Sequence, residues 1–325
     1  MRRNGGANNE VSVLTLLTVQ TIVMPFFKNL QHSKREPSQM KSYLSRYQSG
    51  DYKKIWDELV SLGDAVRHED IVHDVADVVH ETMQRIRANI ELLIPRLVAL
   101  QYTFGYDWLI HPNGGEPFDV FNRQRYLDAF HWKQEQPPIF IAATQEREEI
   151  DQLEQYVKDD PDRAPVWQEQ INDLVQTPTI ADFFSMINEA IGPFPLSIES
   201  WYKTVGSINL CGIHEEWYRS FQKEQINYME IDPLQVLPIT VDRAKYYSQV
   251  TSKNKETTWF GLAPDLHFKH RRSGGGDYFI EIPNSSIDAT LRGERHELLF
   301  IDYLRFCFKW GGFPGLDLLV AVCKG

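Results

Sequence analysis

Between Val66 and Leu100 the apolar positions recur at three- and four-residue steps: Ile71, Val75, Val78, Ile86, Ile90, Leu93, Leu97 and Leu100. This spacing lines one side of a helix and predicts a long amphipathic helix. Pro95 falls inside the pattern and lacks a backbone donor, so a kink or interruption is expected near Glu91. Residues 29–64 are polar and mixed and fit short helices. After the long helix, the aromatic stretch Tyr102–Trp108 runs into a turn at His111-Pro112-Asn113-Gly114-Gly115. Between 139 and 177 the pattern predicts two polar surface helices, broken around Asp160-Pro161.

The texture changes near Pro178. Thr179, with Asp182 three residues on, is a helix-capping pair. Ile180, Phe183, Phe184, Ile187 and Ile191 form the apolar face that follows, and Gly192-Pro193 stops it. Ser197 is the expected cap of a second short helix with Ile198, Trp201, Tyr202 and Val205 on its face and Gly206 at its end. Extended segments are predicted at Val236–Ile239, Trp259–Ala263 and Tyr278–Ile282, between turns rich in Pro, Gly and Asn. A last helix from about Glu297 to Lys309 is apolar apart from Asp302, Arg305 and Lys309. Two helices, several strands and a closing helix describe an α+β domain with a mixed or antiparallel sheet, preceded by a mainly helical region. The expected division is residues 1–36, a poorly ordered segment, then 37–177, mainly helical, then 178–325, α+β.

Composition narrows the picture. The chain has 325 residues, 42% apolar, with a net charge of −11, enough apolar material for a substantial core. An acidic chain does not suit general nucleic-acid binding, which needs cations to displace phosphate counterions. The imbalance is local: between 139 and 177 ten acids face three bases, a net of −7. Glu146, Glu148, Glu149, Asp151, Glu154, Asp159 and Asp160 there are either a solvated face or a surface for a basic partner. Cys211, Cys307 and Cys323 show no paired spacing, which points away from a disulfide scaffold and toward a reducing cytoplasm. The run Val11–Phe27 follows Arg2 and Arg3 as a signal or anchor would. It is interrupted by Ser12, Thr15, Thr18, Gln20 and Thr21, it is short for a bilayer span, and no cleavage pattern follows. No membrane association is expected.

Four groups of residues are chemically suggestive. His73, Asp77 and His80 project from one helix face at i, i+4 and i+7, a donor set suited to zinc or iron, although the same face carries Asp70, Asp74 and Glu81 as a solvated surface would. Asp265, His267 and His270 precede Arg271-Arg272-Ser273-Gly274-Gly275-Gly276, which has the glycines but not the residue order of a phosphate-binding loop and reads as a hairpin turn. Cys211 and His214 form a nearby thiol–imidazole pair, read as a buried thiol and a separate histidine. Asp288, Glu294, Glu297 and Asp302 show no recognisable pairing. The expectation is a protein with no catalytic set, no bound metal and no cofactor.

The second half resembles the SUKH superfamily, the domain of bacterial toxin-immunity proteins and of a yeast cell-wall regulator. The resemblance is carried by Phe183–Gly192, then Pro193-Phe194-Pro195-Leu196-Ser197, then Trp201-Tyr202-Lys203-Thr204-Val205-Gly206. It continues in Asp232-Pro233-Leu234, Tyr278–Pro283 and Phe300–Leu304, and spans roughly residues 178–312. The family's Leu-Pro step stands here in the order Pro195-Leu196. Gly192, Pro195, Leu196, Trp201, Tyr202 and Gly206 are structural in this pattern: glycines end helices and the aromatics fill the helix–sheet join. The resemblance implies a non-enzymatic protein-interaction module, of the type that binds and occludes a toxin. A metal-dependent enzyme using His73, Asp77 and His80, and a regulatory scaffold, are the alternatives.

Overall fold

Ser42 opens the first helix by accepting a hydrogen bond from the Ser45 amide, and α1 runs Tyr43–Gln48. In the computed structural model the described residues are 42–104, 140–141, 146–176, 179–225, 228–239, 258–269 and 275–317, with 243, 244, 246, 247 and 249. Helix α2 (Tyr52–Ser61) buries Ile55, Trp56 and Leu59, and a 3-10 turn at Gly63–Arg67 leads into α3 (Val72–Ala99). Asp74 of α3 accepts the Tyr43 and Leu44 amides, which have no partner inside α1. Pro95 does not interrupt the helix: α3 continues through it to Ala99. Pro95 lies on the exposed side while Leu93 and Leu97 are buried opposite. The carbonyl left without its donor therefore faces water, and core packing holds the last turn in register.

Three small antiparallel sheets complete the α+β fold. β1 (Thr103–Phe104) pairs with β4 (Gly212–Ile213). β2 (Phe140–Ile141), β3 (Ser207–Asn209) and β5 (Gln235–Val236) form the second sheet. β6 (Thr258–Ala263) and β7 (Tyr278–Ile282) form the third. In that last sheet Phe260, Leu262, Tyr278, Ile280 and Ile282 are buried, while Trp259 and Glu281 are exposed. This is the period-2 pattern of a sheet with one dry face.

Thr179 accepts the Asp182 amide and caps α6 (Ile180–Ala190), as the sequence predicts. The next cap differs. Pro195 occupies the N-cap of α7 (Leu196–Thr204), and Ser197 sits inside the helix with its hydroxyl turned to Asp288. A further helix, α8 (Glu215–Lys223), and a 3-10 turn at Tyr228–Ile231 precede β5. The single turn α9 (Leu266–Lys269) follows β6, and α10 (Phe300–Lys309) closes the described chain.

Residues from both halves share one apolar cluster, from Tyr47, Trp56 and Val75 to Trp201, Phe260, Phe300 and Leu316. Helix α3 packs along α7, and Trp201 meets Phe300 edge-on at 5.3 Å. The acidic helices α4 (Glu146–Asp159) and α5 (Ala164–Gln176) pack on each other. Their buried residues Leu153 and Ile171 are not members of the main cluster. Among the described residues no helix is long and apolar enough to cross a membrane.

Candidate functional site

Gly192, Pro195, Leu196, Trp201, Tyr202 and Gly206 occupy helix ends and core. Gly192 (φ +130°) and Gly206 (φ +89°) adopt left-handed backbone just after α6 and α7. A Cβ on Gly192 would stand 2.8 Å from the Cβ of Pro283, so both its conformation and its surroundings require glycine. Trp201 and Tyr202 are buried, and the Tyr202 hydroxyl donates to the Leu237 carbonyl at 2.9 Å. Leu196 opens α7, and its amide donates to the Ser286 carbonyl.

The possible metal face is solvated. His73, Asp77 and His80 are all exposed on α3, and His80 Nε2 lies 3.4 Å from Gln84 Nε2. Among the described residues no three His, Cys, Asp or Glu side chains gather as ligands. Cys211 and His214 have separate tasks. Cys211 Sγ lies 3.2 Å from Gln235 Oε1. His214 Nδ1 accepts the Trp217 amide at the N-terminus of α8, and Nε2 meets the Leu100 carbonyl at 2.8 Å. With both nitrogens engaged and its ring stacked on Trp217 at 4.7 Å, the imidazole holds an end of α3 against the start of α8. Of the Arg271–Gly276 loop, residues 271–274 lie outside the described residues, as do His270, the run 11–27 and the turn at 111–115.

The carboxylates without recognisable pairing in sequence acquire partners in space. Glu297 meets Arg292, and Asp302 meets Arg305 and Lys53. Glu294 accepts His296 Nδ1 at 2.7 Å, and His296 Nε2 lies 3.6 Å from Asp317. Asp288 is buried and accepts from Ser197 Oγ, the Ala289 and Ile301 amides and Trp56 Nε1, at 2.8–3.2 Å. Burial pushes its carboxyl up to about 6, and the hydrogen bonds oppose that rise. The bond to the Ile301 amide also satisfies the first turn of α10, whose N-cap Leu299 has no side-chain acceptor.

A second buried cluster was not legible in sequence. Lys269 is 2% exposed, and its ammonium lies 2.6 Å from Asp232 Oδ1. Tyr278 donates to Asp232 Oδ2 at 3.2 Å and presents its ring 4.7 Å from the ammonium. Burial and the neighbouring Asp232 push the Tyr278 hydroxyl well above its ordinary value. Burial likewise pushes up the nearby Cys307 thiol and Tyr303 hydroxyl. These groups are therefore protonated at neutral pH, and Lys269 is enclosed. The pair joins α9 to the segment before β5, as a buried ion pair does when its charges are compensated. Asp232 and Lys269 are separated by 37 residues, and no local spacing signals their meeting.

The acidic residues singled out in sequence lie on the α4–α5 hairpin. Glu146, Glu148, Glu149 and Asp151 occupy the first two turns of α4, with side chains outside the described set. Glu154 and Asp159 are exposed, and Asp160 stands 3.9 Å from Arg163. Acids at the start of α4 and Lys158 in its last turn suit the helix dipole. Exposed Tyr156 and Val166 lie on the same hairpin. No family model, curated protein or solved structure matches the chain.

Proposed function

We propose that the protein is a non-enzymatic interaction module, of the immunity type, which binds a basic protein such as a nuclease toxin and occludes it. The observation that carries this reading is the acidic α4–α5 hairpin. Its buried described residues Leu153 and Ile171 stand outside the main cluster, Tyr156 meets Trp167 across the hairpin, and Glu154, Asp159, Asp162 and Glu169 are exposed on it. An exposed negative surface accelerates encounter with a positive partner and competes for groups that would otherwise hold phosphate. The resemblance of residues 178–312 to the SUKH superfamily supports the same class of function.

The test is co-expression with toxin genes from the protein's own genomic neighbourhood. Rescue of growth with co-purification of one toxin is the expected result. A variant carrying Glu154→Gln, Asp159→Asn, Asp162→Asn and Glu169→Gln should associate about tenfold more slowly at low salt, with the difference shrinking at high salt. Absence of both rescue and co-purification across all the neighbouring candidates would overturn the reading.

A further inference from the structure

The β6–β7 sheet turns an aromatic face to solvent. Trp259 is 64% exposed although it is paired within the β6–β7 sheet. Its ring stacks on Phe279 with centroids 4.8 Å apart and 24° between planes. Glu281 is the register partner of Trp259 and is also exposed. At the other end, Gly261 pairs with Phe279, and Asp277 Oδ2 lies 2.8 Å from where a Cβ on Gly261 would stand. The Asp277 carboxylate therefore fills the space that a side chain at 261 would take on this outer face. Among the described residues Glu281 has no ion pair, whereas Asp277 already faces the charge of Arg243, whose guanidinium bonds the Gly261 carbonyl.

We propose that this face receives an arginine side chain of a basic protein partner, held by stacking on Trp259 and Phe279 and by charge from Glu281. A guanidinium is planar, weakly hydrated and able to stack on an indole while donating to a flanking carboxylate; an ammonium does only the second well. An exposed tryptophan ringed by polar groups is the side chain on which binding energy concentrates at interfaces. Charge argues against a second copy as the occupant, because self-association would set carboxylates against carboxylates on a chain of net charge −11. The proposal rests on the reading of a basic protein partner and adds a contact independent of the α4–α5 hairpin.

The experiment is a titration of the full chain, followed by 1H–15N correlation spectra, with the capped tripeptide acetyl-Gly-Arg-Gly-amide. Its neutral isostere carrying citrulline in place of arginine is the control. The Trp259 indole N–H is assigned by its loss in Trp259→Phe. Its resonance should move saturably with the arginine peptide and respond at least about tenfold more weakly to the citrulline peptide. Glu281→Gln, a substitution on the exposed face, should weaken the arginine response about threefold or more and leave the other indole resonances in place. A Trp259 resonance that stays still, or that moves equally with citrulline, overturns the proposal, as does an unchanged response in Glu281→Gln. Movement of hairpin amides 154–169 alone would remove this proposal and leave the hairpin reading standing, which the co-expression test decides separately.

Discussion

Asp288 shows how one carboxylate can tie together residues that no local spacing connects. Its acceptor oxygens serve Trp56 of α2, Ser197 of α7 and the amide of Ile301 in α10. Because burial raises its folded pKa to about 6 from an ordinary 3.8, the folded state binds more protons than the unfolded chain between those values. The contribution of this group is therefore fully present below about pH 4 and is lost as pH rises through about 6, by roughly 3 kcal/mol. Asp288→Asn removes the titration, so the stability of the native protein relative to the variant should fall across that window. Urea unfolding of both at pH 4, 5, 6 and 7 checks this, and a constant difference would count against it. At this scale the legible residues were those whose task is local. Thr179 caps the helix it precedes, and Gly192 and Gly206 end the helices they follow. Ser197 looks like a cap in sequence because the hydroxyl is well placed, but Asp288 competes for it and the start of α7 falls at Leu196. Lys269 gave no signal, since a lone lysine beside a glycine-rich turn looks solvated until Asp232 is brought to it.

Among the elements, periodicity carried furthest where one face is buried. The stripe on α3 and the alternation on β6 and β7 were both readable, because burial of one face selects residue type at a fixed repeat. The continuation of α3 through Pro95 was not, since sequence alone does not say which side of a helix meets water. The short strands β1 and β2 were also hidden: two residues carry no periodicity, and their partners Ile213 and Ser207 lie far along the chain. The α4–α5 hairpin was legible from its charge and its Asp160-Pro161 break. Among the described side chains of the hairpin, Leu153 and Ile171 are the buried apolar ones, so its helices should open with a much lower free energy than α3, which buries Val75, Val78, Met83, Ile86 and Ile90 in the main core. Hydrogen exchange should show amides of 154–169 protected at least about a hundredfold less than those of 78–90. Equal protection would mean the hairpin is held by more than its own contacts.

For the whole molecule, helices α1–α3 and the described residues after Thr177 share one core. Helix α3 lies against α7, β1 and β2 pair with β4 and β3, and Arg67 donates to the carbonyls of Ser285 and Phe194. The α+β texture beginning near Pro178 was readable, but its dependence on the preceding helices was not, because a helix stripe does not name the surface it covers. A fragment of residues 178–325 should lose the cover of Trp56, Val78, Met83 and Ile90 and leave Asp288 without its indole donor. It is expected to bind a hydrophobic dye and to show no cooperative thermal transition, whereas the full chain unfolds cooperatively. Cooperative melting of the fragment, read by circular dichroism, would contradict this.

The link from Trp56 to Asp288 also sets an order in time. The two residues are 232 positions apart, and a ribosome adding about 5–20 residues per second takes roughly 10–50 s to cover that distance. Through that interval the indole of α2 has been synthesised while its acceptor has not. The Trp56 face of α2 therefore stays without its Asp288 partner until residues near 288 have emerged. Until then the nascent chain carries this apolar surface uncovered and is open to misassociation.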